Sequence, residues 1–322
     1  MKDWSASRVL VTGATGMIGS WLVKALLETG AAVAVLVQDA DPQTELYRSG
    51  DIQRVTVING SLEEFATLER AVNVHEVDTV FHLGAQTIVG AAYRFPLPTF
   101  EANIRGTYNL LEVCRLHQSL VRRVVIASSD KAYGEQERLP YTEESPLAGR
   151  HPYDVSKSCC DMLAQSYHHT YGLPIGIARC GNVYGGGDLN WSRIVPGTIR
   201  SLLRREPPVL RSDGKYLRDY IYVKDVAQAY LRLGECLEDP RVCGQAFNFS
   251  LERPVSVVDL VKEIQQLMDC RIEPRILNEA RAEIRSQHLS AAKAREILGW
   301  SCRFNFQEGL RETIRWYQSF LQ

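Results

Sequence analysis

Six short apolar runs, rich in β-branched residues, most constrain this chain: Val9 to Thr12, Ala32 to Val37, Val55 to Ile58, Thr79 to Leu83, Val124 to Ser128 and Ile175 to Ala178. Each is continuous rather than alternating, which predicts strands buried on both faces. Longer segments of helical pattern lie between them, as parallel strands joined by crossover helices require. The implied fold class is α/β, a doubly wound parallel sheet. Its ligand site is then expected outside the carboxyl ends of the strands. With 322 residues and 45% hydrophobic composition there is material for one large α/β domain and a smaller lobe.

That lobe is expected after Cys180, where the chain becomes rich in Gly, Arg and loops. A further run, Ala246 to Ser250, reads as one more strand returning to the main sheet. The expected division is a dinucleotide-type domain over 1–180, with the returning strand near 246–250, and an interleaved C-terminal lobe made mainly of 181–322. Charge excludes some partners: 37 basic against 38 acidic residues leave a formal net charge of −1, so no field gathers nucleic acid. No apolar run approaches the roughly 20 residues of a membrane span, and the opening MKDWSASR leads into a strand without a leader-like stretch. A soluble, cytoplasmic protein without membrane partners is expected. Eight cysteines, none in a C-x-x-C pair, read as reduced thiols, mostly in the core, and no metal site is expected.

Between the first run and a helix starting near Met17 lies Gly13-Ala-Thr-Gly16-Met-Ile-Gly19. A Cβ in that turn would block a pyrophosphate from the amides of the helix N-terminus, so glycine there points to a dinucleotide. The alternative is a plain strand-to-helix turn. Gln38 to Gln43, after the second run, holds two acids and no base. Asp39 would accept from a ribose 2′-hydroxyl and repel a 2′-phosphate, which favours NAD over NADP.

The fifth run ends in VVIASSDKAYG, Val124 to Gly134, and Tyr153 and Lys157 follow four residues apart. On a helix those two share one face. An ammonium beside the phenol would lower the tyrosine pKa and make it a usable base for a hydroxyl proton, with Ser129 at the strand end completing the set. A Y-x-x-x-K pattern is also common on solvated helix faces. His82 reads as structural, and His168 and His169 lack metal-ligand partners at useful spacing.

Together with HLGAQ (82–86), NIRGTYNLLE (103–112), RCGNVYGGGD (179–188), RDYIYVKDV (218–226) and LGW (298–300), these motifs resemble the extended short-chain dehydrogenase/reductase family, in its nucleotide-sugar-modifying members. The likeness covers nearly the whole chain. It implies a Rossmann sheet with a smaller C-terminal substrate-binding lobe. It also implies NAD contacts from Gly13, Thr15, Gly16, Met17, Ile18, Gly19, Asp39, Ser61, Leu62, Leu83, Ala85, Gln86, Asn103, Tyr153 and Lys157. Ser61 departs from the aspartate usual after the third strand's glycine. For a nucleotide-diphosphate sugar it implies Gln86, Asn182, Arg193, Arg218 and Arg285, guanidinium forks matching phosphate oxygens. Arg285 reads equally as a surface residue, and Arg204 and Arg205 as a solvated helix face.

Within that family the residues after the catalytic Ser or Thr separate the chemistries. Small residues accompany 4-epimerases, whereas an acid and a second ionisable group accompany 4,6-dehydratases. Ser129-Asp130-Lys131 looks most like the triplet of CDP-glucose 4,6-dehydratases, and RIVP (193–196) resembles that subgroup as well. RDYIYV is closer to the dTDP-glucose pattern and leaves the base open. The resemblance implies that Tyr153 takes the O4 proton, Ser129 holds O4, Lys157 holds the ribose and tunes Tyr153, Lys131 removes the C5 proton and Asp130 protonates the departing C6 hydroxyl. Burial would be the means of keeping Lys131 neutral and Asp130 protonated. Asp130 and Lys131 could instead simply pair with each other. A 4-epimerase and a non-catalytic dinucleotide-binding protein are the competing readings. Helical patterns over Thr99 to Leu116 and Ser156 to Tyr171, with apolar faces, point to a homodimer joined by a four-helix bundle, as in the family.

Overall fold

The computed structural model describes residues 3–279 and 284–322. In chain order the first half runs β1 (Arg8–Thr12), α1 (Met17–Glu28), β2 (Ala32–Val37), α2 (Glu45–Arg48), β3 (Thr56–Asn59), α3 (Phe65–Val74), β4 (Thr79–His82), α4 (Val89–Arg94), α5 (Pro96–Phe100), α6 (Gly106–Leu116), β5 (Arg123–Ala127), α7 (Pro152–Tyr171) and β6 (Ile175–Cys180). The second half runs β7 (Asn182–Tyr184), α8 (Ile194–Leu203), β8 (Val209–Leu210), β9 (Leu217–Tyr222), α9 (Val223–Glu235), β10 (Ala246–Phe249), β11 (Pro254–Ser256), α10 (Val257–Leu267), β12 (Arg275–Ile276), β13 (Ser286–Gln287) and α11 (Phe306–Leu321).

The main sheet has the order β10-β6-β5-β4-β1-β2-β3, every pair parallel. Strand order reverses between β1 and β4, so a crevice opens beyond their carboxyl ends. The period of two along each strand divides the core. Val9, Val11, Val33, Val35 and Val37 pack on one side with Leu22 and Leu26 of α1 and Tyr230 and Leu233 of α9. Leu10, Ala34 and Leu36 pack on the other with Leu68 of α3, Leu110 of α6 and Ala164 of α7. One run departs from expectation: in β3 only Ile58 is buried, because this strand forms the sheet edge and lacks cover on one flank.

β10 lies beside β6, so the chain returns to the main sheet partway through the second region and then leaves it again for β11 to α11. That region has its own sheet, β11-β9-β13, with β7 also on β9, and its own core of Tyr184, Ile199, Tyr220, Leu260, Leu310 and Tyr317. The helical pattern over 99–116 is interrupted. A π turn at Glu101–Arg105 separates α5 from α6, and the extra residue swings Asn103 toward the loop after β4. No described helix is long and apolar enough to cross a membrane. All eight cysteines are unbridged, and four of them, Cys114, Cys160, Cys180 and Cys270, are buried.

Candidate active site

The cleft between the carboxyl ends of the main sheet and the second region encloses about 1210 Å³. Its floor at one end is the turn from β1 to α1. Gly13 has φ +70°, a left-handed conformation that favours glycine, and a Cβ on it would sit 2.6 Å from the Gly84 amide nitrogen. A Cβ on Gly19 would lie 2.1 Å from the Gly13 carbonyl oxygen. The turn can therefore be only backbone, laid at the start of a twelve-residue helix whose first N–H groups lack helical partners. That surface fits the pyrophosphate of a dinucleotide. Beneath it His82 is buried, its Nδ1 2.8 Å from Thr12 Oγ1 and its Nε2 3.0 Å from Thr107 Oγ1. Burial, with the nearby Lys157 charge, pushes its pKa down to about 3, so this histidine is a neutral strut.

Of the residues expected around a dinucleotide, Gly13, Thr15, Gly16, Met17, Ile18, Gly19, Leu83, Ala85, Tyr153 and Lys157 line the cleft. Asp39 is exposed just beyond β2, and Ser61 and Leu62 follow β3, all three outside the cleft wall. Leu62 is buried, and its side chain would meet any Cβ on Gly84 or Gly106. Gln86 and Asn103 also fall outside the wall, because their polar groups face each other. The Asn103 side chain accepts from Gln86 N at 2.7 Å, and donates to Gln86 O at 3.1 Å and Ser156 Oγ at 2.9 Å. Asn103 thus braces the loop after β4 against α7.

At the centre, β5 ends and the chain enters a tight helical turn, Asp130 to Tyr133. Ser129 caps that turn, its Oγ accepting from Lys131 N at 3.2 Å and donating to Asp130 Oδ1 at 3.1 Å. Ser158 on α7 donates to Ala132 O at 2.9 Å, which clamps the turn to the helix carrying Tyr153 and Lys157. The Ser129 side chain lies beside Tyr153 and works against the effect of burial on its phenol. Burial pushes the Tyr153 phenol well above the ordinary tyrosine range, against the nearby charge of Arg193. Lys157 donates instead to Ala127 O at 2.8 Å, because a buried ammonium takes the acceptor at hand, the last carbonyl of β5. Burial pushes its own pKa down.

Asp130 and Lys131 both line the cleft. Asp130 is buried, and its Oδ2 has no hydrogen-bond partner among the described residues. The Lys131 ammonium contacts the side-chain oxygen of Gln287, a residue from β13. Asp219, inside the RDYIYV motif, is also fully buried. It accepts from Ser250 Oγ and from Leu289 N, at 3.2 Å, while its Oδ1 is unpartnered among the described residues. Burial, together with Asp130 and Glu252 nearby, pushes its pKa up to about 6 against the two hydrogen bonds. Asp219 was legible as part of a motif. Gln287 carried no signal.

The far wall belongs to the second region. Asn182, Arg193 and Arg218 line it, with Arg200, Arg211 and Glu279 beyond. Arg193 pairs with Asp188 at 3.1 Å and donates to Thr87 Oγ1 at 3.2 Å, while Asn182 Nδ2 reaches Asp219 O at 3.4 Å. Arg218 Nη1 donates to Leu217 O at 2.9 Å and Arg285 O at 3.3 Å. The Arg285 side chain is exposed and does not reach the cleft; only its backbone takes part. Arg204 and Arg205 are exposed after α8. Among the described residues no cluster of three His, Cys, Asp or Glu could hold a metal.

Residues 10–313 match the family model described as GDP-mannose 4,6 dehydratase. The chain is 27% identical to CDP-glucose 4,6-dehydratase of Salmonella typhimurium, over 99% of this chain and 92% of that protein. It spans about half of the plant relatives it matches: 48% of a trifunctional UDP-glucose 4,6-dehydratase, 3,5-epimerase and reductase of Arabidopsis thaliana, at 28% identity over 98% of this chain. Among solved structures, dTDP-glucose 4,6-dehydratase of Bacillus anthracis in complex with NAD superposes with a TM-score of 0.86 at 26% identity, covering 98% of this chain and 97% of that one. UDP-glucose 4-epimerase of Thermotoga maritima with UDP-glucose superposes with a TM-score of 0.89 at 29% identity, covering 98% and 100%.

Proposed function

The chain belongs to the GDP-mannose 4,6-dehydratase family, and from that premise we propose that it is an NAD-dependent nucleotide-sugar 4,6-dehydratase. Its substrate is a nucleotide-diphosphate hexose, and its product the 4-keto-6-deoxy sugar nucleotide. The observation that carries this reading is the pair directly after Ser129. An amine and a carboxyl, the latter with one buried oxygen unpartnered among the described residues, join Ser129 and Tyr153 in one cleft. Moving a hydride at C4 needs one proton acceptor; removing water across C5 and C6 needs an acid and a base more.

Bound NAD supplies the hydride acceptor for C4 and the hydride donor for C6. Tyr153 accepts the O4 proton once its phenol is ionised, and Ser129 holds O4. Lys157, buried one helical turn on, holds the ribose. With C4 a ketone, the C5–H bond is acidic. Lys131, as a neutral amine, takes that proton while the bond's electrons form the C5–C6 double bond, the C6–O bond breaks, and Asp130 gives the leaving oxygen the proton that makes it water; on delivery of hydride to C6, Lys131 would return its proton to C5. Arg193, Arg218 and Asn182 supply donors for the diphosphate and its sugar. The proposed division of labour gives dinucleotide binding to residues 1–180 with the returning strand near 246–250, and the sugar nucleotide mainly to 181–322.

We infer a homodimer as well, because Tyr108 and Leu116 on α6 and Met162 and Tyr171 on α7 are exposed on adjacent helices. A monomer in sedimentation at micromolar concentration would rule this out. Unbridged cysteines support a cytoplasmic location.

The test uses CDP-glucose, dTDP-glucose, UDP-glucose and GDP-mannose, with water loss read by mass spectrometry. Tyr153→Phe should abolish every step. Lys131→Met should still allow reduced nicotinamide to form, yet slow water release by about 10²–10⁴-fold. If Lys131→Met turns over at the wild-type rate, or the product keeps its C6 oxygen and is inverted at C4, the 4-epimerase reading replaces this one.

A further inference from the structure

We propose that Gln287 is a positioning residue for Lys131, its side-chain oxygen holding the amine in place for the elimination. The inference rests on the dehydratase reading above. Lys131 is a long side chain leaving a short turn, and by itself such a chain samples many rotamers. Three features make Gln287 suited to restrain it. The first is place: Gln287 lies on β13, paired in parallel register with Arg218 of β9, so its position is set by a sheet rather than by a loop. Second is burial, since Gln287 is 0% exposed and its amide is held inside the protein. The third is chemistry. Its oxygen contacts the Lys131 ammonium, and its Nε2 is buried with no hydrogen-bond partner among the described residues. A lysine Nζ–H needs an acceptor, so the amide oxygen faces it.

A neutral acceptor matters for a base. The amide oxygen accepts an N–H from the amine and from the ammonium alike, so it fixes Nζ before and after proton transfer without adding a charge that would keep the lysine protonated. A carboxylate at the same place would favour the ammonium. Among the described residues, the titratable and charged groups near this pair include Asp130 on the same turn with Tyr141 and Cys180 against it, His151, Tyr153 and Asp154 at the head of α7, and Arg218 and Asp219 on β9. Asp154 already lies close enough to feel the Lys131 charge, which makes a neutral side chain at 287 the more telling choice.

The experiment uses the full chain with NAD and whichever of the four sugar nucleotides the wild type dehydrates. Formation of reduced nicotinamide and release of water are followed separately across pH. Gln287→Glu should move the rise in the water-release rate upward by about one pH unit, since the added carboxylate sits in contact with the base. Gln287→Met should slow water release about tenfold at every pH, while KM and the formation of reduced nicotinamide stay as in the wild type. Gln287→Asn, with a shorter amide, should fall between Gln287→Met and the wild type. Wild-type water release and pH profile in both Gln287→Glu and Gln287→Met would overturn the proposal. So would equal loss of both steps, because a merely structural residue would not separate them. Absence of any dehydrated product from the wild type is a different result: it sinks the dehydratase reading itself, and the inference with it.

Discussion

The two ends of the cleft are built by opposite means. At the glycine turn the ligand surface is main chain, and side chains are excluded by contacts of 2.1 to 2.6 Å to any added Cβ. At the end around Ser129 the surface is side chain, and Asp130, Asp219 and Gln287 each carry a buried polar atom with no partner among the described residues. The first end is a shape that costs nothing electrostatically. The second holds polar groups that burial makes unfavourable.

Acid–base titration of folding sharpens the contrast most. His82, under the glycine turn, is held neutral with its pKa near 3 against an ordinary 6.5. Its contribution is present above about pH 6.5 and is lost as pH falls toward 3, because only the unfolded chain takes up the proton. Asp219, under the reactive pair, has its pKa raised from 3.8 to about 6. Its contribution is present below about pH 4 and is lost as pH rises through 6, because the folded chain holds the proton longer. Each effect is on the order of a few kcal/mol. In denaturant melts His82→Gln should therefore flatten the acid limb of stability, and Asp219→Asn the limb between about pH 4 and pH 6. Identical slopes for both variants and the wild type would break the comparison.

A smaller effect is expected from Gly19→Ala, about 1–3 kcal/mol of stability, because the new Cβ overlaps the Gly13 carbonyl and the turn must shift. NAD affinity should fall with it. An unchanged melt and unchanged affinity would mean the turn yields more readily than its contacts indicate. Smallest is Arg285→Ala, which should stay within about 0.5 kcal/mol in stability and leave KM for the sugar nucleotide unaltered, since the side chain is exposed and outside the cleft. A tenfold rise in KM would restore Arg285 as a substrate contact.

The glycine turn was legible in the sequence because its signal is local. Gly13, Gly16 and Gly19 lie within seven residues, and the constraint they meet is imposed by neighbours in the same turn and by one adjoining strand. The parallel sheet was legible for the same reason, in the runs Val9–Thr12 through Ile175–Ala178. Its edge was not: Val57 looks as apolar as Val35, and only the strand order leaves it exposed. Tyr153 and Lys157 could be placed on one helix from their spacing alone. That Lys157 turns to Ala127 and Tyr153 faces Arg193 depends on β5 and on the second region, hence on contacts the spacing does not contain.

By itself the sequence determined the layers, the main-chain cradle and the placing of the triplet Ser129-Asp130-Lys131 at the end of β5, since each depends on residues close in the chain. Only the tertiary structure decided what surrounds that triplet. Gln287 reaches Lys131, and Asp219 lies under Asp130, from strands that join the site late in the chain. Charge and hydrogen-bond environment fall off over a few ångströms in space and ignore distance along the chain. A candidate ionisable group can therefore be read from a motif, whereas what surrounds and holds it is determined by the fold.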